Sequence, residues 1–204
     1  IFDAGDWSHK DHPVRYGLPT IGASGFSGIG AQVNSGRNAC TLSSQGVLAT
    51  ASQSSVVLLW NLETLKVIGS LIGGGGQLSG TSAVVSDLAF SPDGEHLATV
   101  DVNGVVRIWT VPEGELVWEG EVTDPLACVA FHPQKEQVAF GTTNGRVEIW
   151  NYVEGARLGG FVDDRHSVIN ALSYSHDGAT LASAQEDGEV QLWDTEQLVG
   201  QARG

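Results

Sequence analysis

Apolar and polar positions alternate with a period of two in short stretches that recur along the chain. Val106 to Trp109, Val147 to Trp150 and Val190 to Trp193 each read Val-x-Ile/Leu-Trp, with Arg107, Glu148 and Gln191 at x. Such alternation places apolar side chains on one face of a pleated strand. Asn103-Gly104, Asn144-Gly145 and Asp187-Gly188 precede these stretches and predict tight hairpin turns in which Asn and Gly take positive φ. Ser91-Pro92-Asp93-Gly94 and Ser175-His176-Asp177-Gly178 mark an earlier turn, and Pro112-Glu113-Gly114 and Val153-Glu154-Gly155 a later one. Three turns divide each unit into four strands.

The units repeat. Trp60, Trp109, Trp150 and Trp193 close them at intervals of 49, 41 and 43 residues. Nineteen positions before the Trp stand Phe90, Phe131 and Tyr174, and Leu42 stands 18 before Trp60. Ten before it are Thr50, Thr99, Phe140 and Ser183, and six before it Ser54, Asn103, Asn144 and Asp187. A lone four-stranded sheet cannot bury both faces, so the copies must stack, and four strands in about 40 to 45 residues is the propeller solution.

Here the residues resemble a known family. Leu181 to Asp194 (LASAQEDGEVQLWD) is similar to a WD repeat almost position for position, and Leu88 to Gly94 (LAFSPDG) resembles its inner strand and turn. The resemblance covers roughly 38 to 204 and implies an all-β propeller with four recognisable four-stranded antiparallel blades, about 38–72, 84–120, 126–161 and 166–204, within a propeller of about seven blades. It also implies a buried relay of His166, Ser183, Asp187 and Trp193 that braces the last blade. The other blades depart from it: Asn103, Asn144 and Ser54 replace Asp, and Phe140 replaces the hydroxyl, so these are expected to rest more on apolar packing.

Composition narrows the function. The 204 residues carry 24 acidic against 10 basic side chains, a net charge of -14, which opposes a phosphate backbone and favours protein partners with basic surfaces. The longest apolar run, Leu126 to Phe131, has six residues, whereas a spanning helix needs about 20; neither nucleic acid nor membrane is an expected partner. Cys40 and Cys128 are 88 positions apart in strand-like segments and read as reduced core thiols, which fits a cytoplasmic protein, with a nuclear or cytoskeleton- or cilium-associated place as the alternative.

Residues 1–37 do not align with a blade and read as an irregular segment or a degenerate edge of a preceding one. Gly22, Gly25, Gly28 and Gly30 lack the Lys and the strand-to-helix context of a phosphate loop. His9, Asp11 and His12 lack a third convergent ligand. No metal, no cofactor and no catalytic residue is therefore expected. The separation from Trp60 to Phe90, 30 residues against 22 and 24 in later units, marks an inserted loop containing Gly73 to Gly76.

His166, Ser183 and Asp187 mimic a catalytic triad, but the family pattern makes them bracing, and the chain is not expected to be an enzyme. The expected function is a non-catalytic scaffold for protein–protein interaction in a multiprotein complex, with a structural or regulatory segment of a large cytoskeletal, ciliary or signalling assembly as the alternative. The resemblance points to Gln53, Val102, Thr143 and Glu186 as a partner-binding rim, together with Asp163, Asp164 and Arg165. Trp118 is either an exposed anchor or a cover for the neighbouring blade. Missing blades are expected from flanking sequence or a partner chain.

Overall fold

The computed structural model describes residues 39–51, 56–72 and 84–200, all within a unit that spans Ser35–Gly204. Gln53, Ser54, the Gly73 to Gly76 loop, and the glycines and histidines of residues 1–37 lie outside the described residues.

Fifteen strands and one helix follow each other among the described residues. The first sheet holds β1 (Ala39–Leu42), β2 (Val47–Ala51), β3 (Val56–Asn61) and β4 (Lys66–Ile72); the second β5 (Val85–Phe90), β6 (His96–Asp101), β7 (Val105–Thr110) and β8 (Leu116–Glu121). The third holds β9 (Leu126–Phe131), β10 (Gln137–Thr142), β11 (Arg146–Asn151) and β12 (Ala156–Val162); the fourth β13 (Ile169–Tyr174), β14 (Thr180–Gln185) and β15 (Val190–Asp194). Each is an antiparallel meander in chain order. The fourth sheet thus departs from the four-stranded expectation. After Trp193 the chain enters helix α1 (Thr195–Gly200), because Asp194 Oδ1 accepts the Glu196 and Gln197 N–H groups at 2.9 and 3.0 Å, an N-cap, and Leu198 is buried against the third sheet.

The turns obey local chemistry. Ser175 Oγ donates to Asp177 Oδ1 at 2.6 Å while the Ala179 N–H donates to the same oxygen, and these bonds hold the Asp177 carboxyl below its ordinary value. In the hairpins after β6, β10 and β14, Gly104, Gly145 and Gly188 have φ of 86°, 75° and 88°. Asn103, Asn144 and Asp187 are not left-handed, contrary to the sequence expectation. Three residues separate β6 from β7, so the loop is a type I turn closed by one left-handed glycine and not a two-residue turn.

The core lies between sheets. Val57 and Leu59 pack toward the second sheet, Val106 and Ile108 toward the third, and Val147 and Ile149 toward the fourth, each at most 2% exposed. Burying a side chain of this size contributes about 1.5–3 kcal/mol. The same positions in the fourth sheet, Val190 and Leu192, are 63% and 71% exposed. The four sheets are blades of an unclosed propeller.

Candidate interaction rim

A repeated brace stiffens the frame. Register sets Trp60 opposite Leu48, Trp109 opposite Leu97 and Trp193 opposite Leu181. The residue two further along the partner strand is the diagonal neighbour on the same face, within reach of a long side chain. There Trp60 Nε1 donates to Thr50 Oγ1 at 3.0 Å, Trp109 Nε1 to Thr99 Oγ1 at 3.1 Å and Trp193 Nε1 to Ser183 Oγ at 3.2 Å. In the third blade the diagonal site is Phe140, whose ring lies 6.4 Å from that of Trp150. Trp150 Nε1 turns instead to Glu148 Oε2 at 2.9 Å. The buried Glu148 carboxylate also faces Arg157 at 3.4 Å and Arg146 at 3.7 Å. Sequence reasoning missed Glu148 in this role; its placement two before Trp150 on a pleated strand was the available signal.

Outer strands cover the next tryptophan. Trp118 of β8 packs 5.5 Å from Trp150, and Phe161 of β12 stacks on Trp193 at 3.7 Å. Trp118 therefore covers its neighbouring blade.

Of the four relay residues, the structure brings Ser183 and Trp193 together and leaves the other two apart from them. His166 is exposed with a φ of 53°, and its Nδ1 lies 3.4 Å from the Asn144 carbonyl oxygen. Asp187 is engaged by Arg165 Nη1 at 3.1 Å and accepts the Glu189 N–H at 3.0 Å. The backbone course around the preceding blade's turn, and the nearby guanidinium, draw both side chains to the surface.

The remaining predicted residues fall at one end of the sheets. Val102, Thr143 and Glu186 occupy equivalent positions, and each donates its N–H to the loop entering its own blade: to Val84 O at 3.1 Å, Pro125 O at 2.9 Å and Val168 O at 2.9 Å. The backbone is thus committed to structure while the side chain is free to vary. Val102 and Glu186 are exposed and Thr143 is half-buried. In the loop after β12, Asp164 and Arg165 are exposed but Asp163 is 7% exposed. Arg165 gathers the carboxylates of Asp163, Asp187 and Glu189 and the Gln185 amide oxygen around its guanidinium. Burial works against its charge, yet these acidic neighbours outweigh it and hold Arg165 above its ordinary value.

The inner strands line a concavity of about 480 Å³, including Cys40, Ser86, Asp87, Ala127 and Asn170. Asp87 Oδ2 accepts the Val129 N–H at 3.0 Å, tying the second blade to the third. Among the described residues no three His, Cys, Asp or Glu side chains converge as a metal set, and no helix is long and apolar enough to cross a membrane.

A family model described as "WD domain, G-beta repeat" matches residues 75–110 and 161–194. A WD repeat-containing protein SL1-17 from Schistosoma mansoni is 32% identical over 158 residues, 75% of this chain and 48% of that protein. A coronin-like protein from Saccharomyces cerevisiae is 36% identical over 76 residues, 37% of this chain and 10% of that protein. The chain thus spans about half the length of the first relative and a tenth of the second. Both matched segments carry a Trp-closed hairpin, four successive sheets share one register and three of them the Trp–hydroxyl brace, so the chain carries repeats of the WD type.

Proposed function

We propose that this chain is a non-catalytic scaffold segment that organises a multiprotein complex in the cytoplasm, binding partner proteins through the rim of turns carrying Val102, Thr143, Glu186 and the Asp163–Arg165 loop. One observation carries the reading: at Val102, Thr143 and Glu186 the backbone is hydrogen-bonded identically while the side chains are apolar, hydroxylic and acidic. A fixed frame with a chemically variable edge is what a recognition surface requires. The acid excess at this rim favours partners with basic patches, and the thiols of Cys128, buried as expected, and of Cys40, exposed instead of in the core, fit a reducing compartment.

A second reading, membership of a larger structural or regulatory assembly, is favoured by the uncovered face of the fourth blade. Val190 and Leu192 occupy positions that are sealed by the next sheet in every preceding blade, so another sheet, from flanking sequence or a partner chain, is proposed to cover them.

The test is affinity capture from cells followed by mass spectrometry, with the native protein beside an Asp164→Arg/Glu186→Arg variant. Both residues are exposed and outside the Arg165 cluster of ion pairs, so the fold is expected to survive. Specific proteins lost from the variant support the rim; an identical partner list removes it, and an empty list for the native protein removes the scaffold reading.

A further inference from the structure

The position eight before each Trp is where the chain enters the rim hairpin. In the second blade this is Asp101, 3% exposed. Its Oδ1 accepts the Asn103 and Val105 N–H groups at 2.9 and 3.1 Å and its Oδ2 faces Arg107 Nη1 at 3.1 Å; both oxygens are used. In the third blade Thr142 Oγ1 accepts the Asn144 and Arg146 N–H groups at 3.3 and 3.1 Å. In the fourth, Gln185 is diverted from the hairpin, and its Oε1 accepts from Arg165 Nη2 at 3.1 Å.

Two buried polar atoms beside Arg165 are idle. Gln185 is 5% and Asp163 7% exposed, yet Gln185 Nε2 and Asp163 Oδ2 have no hydrogen-bond partner. Exchanging the Gln185 oxygen and nitrogen does not cure this, because a guanidinium only donates and needs the oxygen. A buried polar atom without a partner has given up its hydration and gained nothing in exchange. Both groups reach into the cluster through their other atom: Asp163 Oδ1 lies 3.5 Å from Arg165 Nε, and Gln185 Oε1 bonds Arg165. Around them one cation faces three carboxylates, Asp163, Asp187 and Glu189.

We infer that this notch between the third and fourth blades docks a basic peptide segment of a partner protein. A partner Lys or Arg supplies the donor that Asp163 Oδ2 lacks, and a backbone carbonyl of the same segment supplies the acceptor that Gln185 Nε2 lacks. Arg165, half exposed at 48%, is the resident stand-in for the partner's cation and is displaced outward on docking. The inference rests on the scaffold reading and specifies the chemistry of one of its contacts.

The test is fluorescence anisotropy at low salt, using a labelled peptide alternating arginine and glycine, one alternating glutamate and glycine, and spermine as competitor. The native protein is expected to bind the arginine peptide at least about ten-fold tighter than the glutamate peptide. Removing one exposed competing ion pair is worth up to about five-fold, so Arg165→Ala tightens binding by up to that factor. Asp163→Asn and Glu189→Gln weaken it by about five- to ten-fold, with melting temperatures near native as the check on folding; Arg165→Gln serves if the alanine variant is unstable. Weaker or unchanged binding by both Arg165 variants overturns the stand-in role, and spermine competing as well as unlabelled peptide overturns peptide recognition. Native protein that captures partners in cells while Asp163→Asn captures the same set overturns the notch alone. A native protein that captures none overturns the scaffold reading itself.

Discussion

Ile149→Ala and Leu192→Ala test the central energetic asymmetry, because the two residues hold the same place immediately before Trp150 and Trp193. Ile149 is 0% exposed between the third and fourth sheets, whereas Leu192 is 71% exposed. Truncation to alanine removes three carbons at either site, about 2.4 kcal/mol of transfer free energy at ~0.8 kcal/mol each. At Ile149 a cavity adds to this, giving about 3 kcal/mol. At Leu192 most of that surface already meets water, and the cost is about 0.5 kcal/mol. At about 2–4 °C per kcal/mol for a chain of this size, the melting temperature falls by about 6–12 °C for Ile149→Ala and by about 1–2 °C for Leu192→Ala. Urea unfolding of the purified protein, followed by tryptophan fluorescence, reads both changes. Equal losses at the two sites would refute the reasoning, since they would mean that the fourth blade's outer face is already covered in the isolated protein.

Three further perturbations address the brace, the turn histidine and the helix. Glu148→Ala strands the Trp150 donor and two arginines and costs about 2 kcal/mol, whereas Glu148→Gln keeps an acceptor and costs about 1 kcal/mol; equal costs in urea unfolding would argue against a hydrogen-bonding role. His132 is held below its ordinary 6.5 by burial first and by Lys135 second, and its Nδ1 accepts the Gln134 and Lys135 N–H groups at 3.1 Å each. With the folded value depressed, its stability contribution is complete above pH 6.5 and declines as pH falls through the folded value, by at most about 1.4 kcal/mol per pH unit. His132→Asn, which retains an acceptor, flattens the unfolding midpoint below pH 6.5, and an unaltered slope would exclude His132 as its source. A Cβ at Gly159 would run into the Leu198 backbone carbonyl, so Gly159→Val displaces α1, exposes the buried Leu198 and costs about 2 kcal/mol; proteolysis within 195–200 becomes faster, and an unchanged rate contradicts the packing.

Much of the frame was legible because the brace is local. Tryptophan spacing and the position ten before it located Thr50, Thr99 and Ser183, all of which accept from their tryptophans, since a hairpin fixes both partners within ten residues. The compensating Glu148 was legible in principle through strand period, but Phe140 was read only as a loss. Helix α1 was hidden because Asp194 offers the same turn-opening side-chain oxygen as Asn61 and Asn151, which lead on to strands; the local signal does not choose between outcomes. The Arg165 cluster joins residues about 20 positions apart across two blades, and no periodicity reports such a contact. His166 and Asp187 were placed by resemblance, which carries residue identity but not the competing guanidinium of Arg165.

Hydrogen–deuterium exchange of the protein alone and with a captured partner tests the rim most directly. The account predicts slowed exchange in the turns at 102–104, 143–145, 163–167 and 186–188, with the opposite turns at 91–94, 133–136 and 175–178 unchanged. Protection confined to those opposite turns, or to the inner strands lining the concavity beside Asp87, would contradict it.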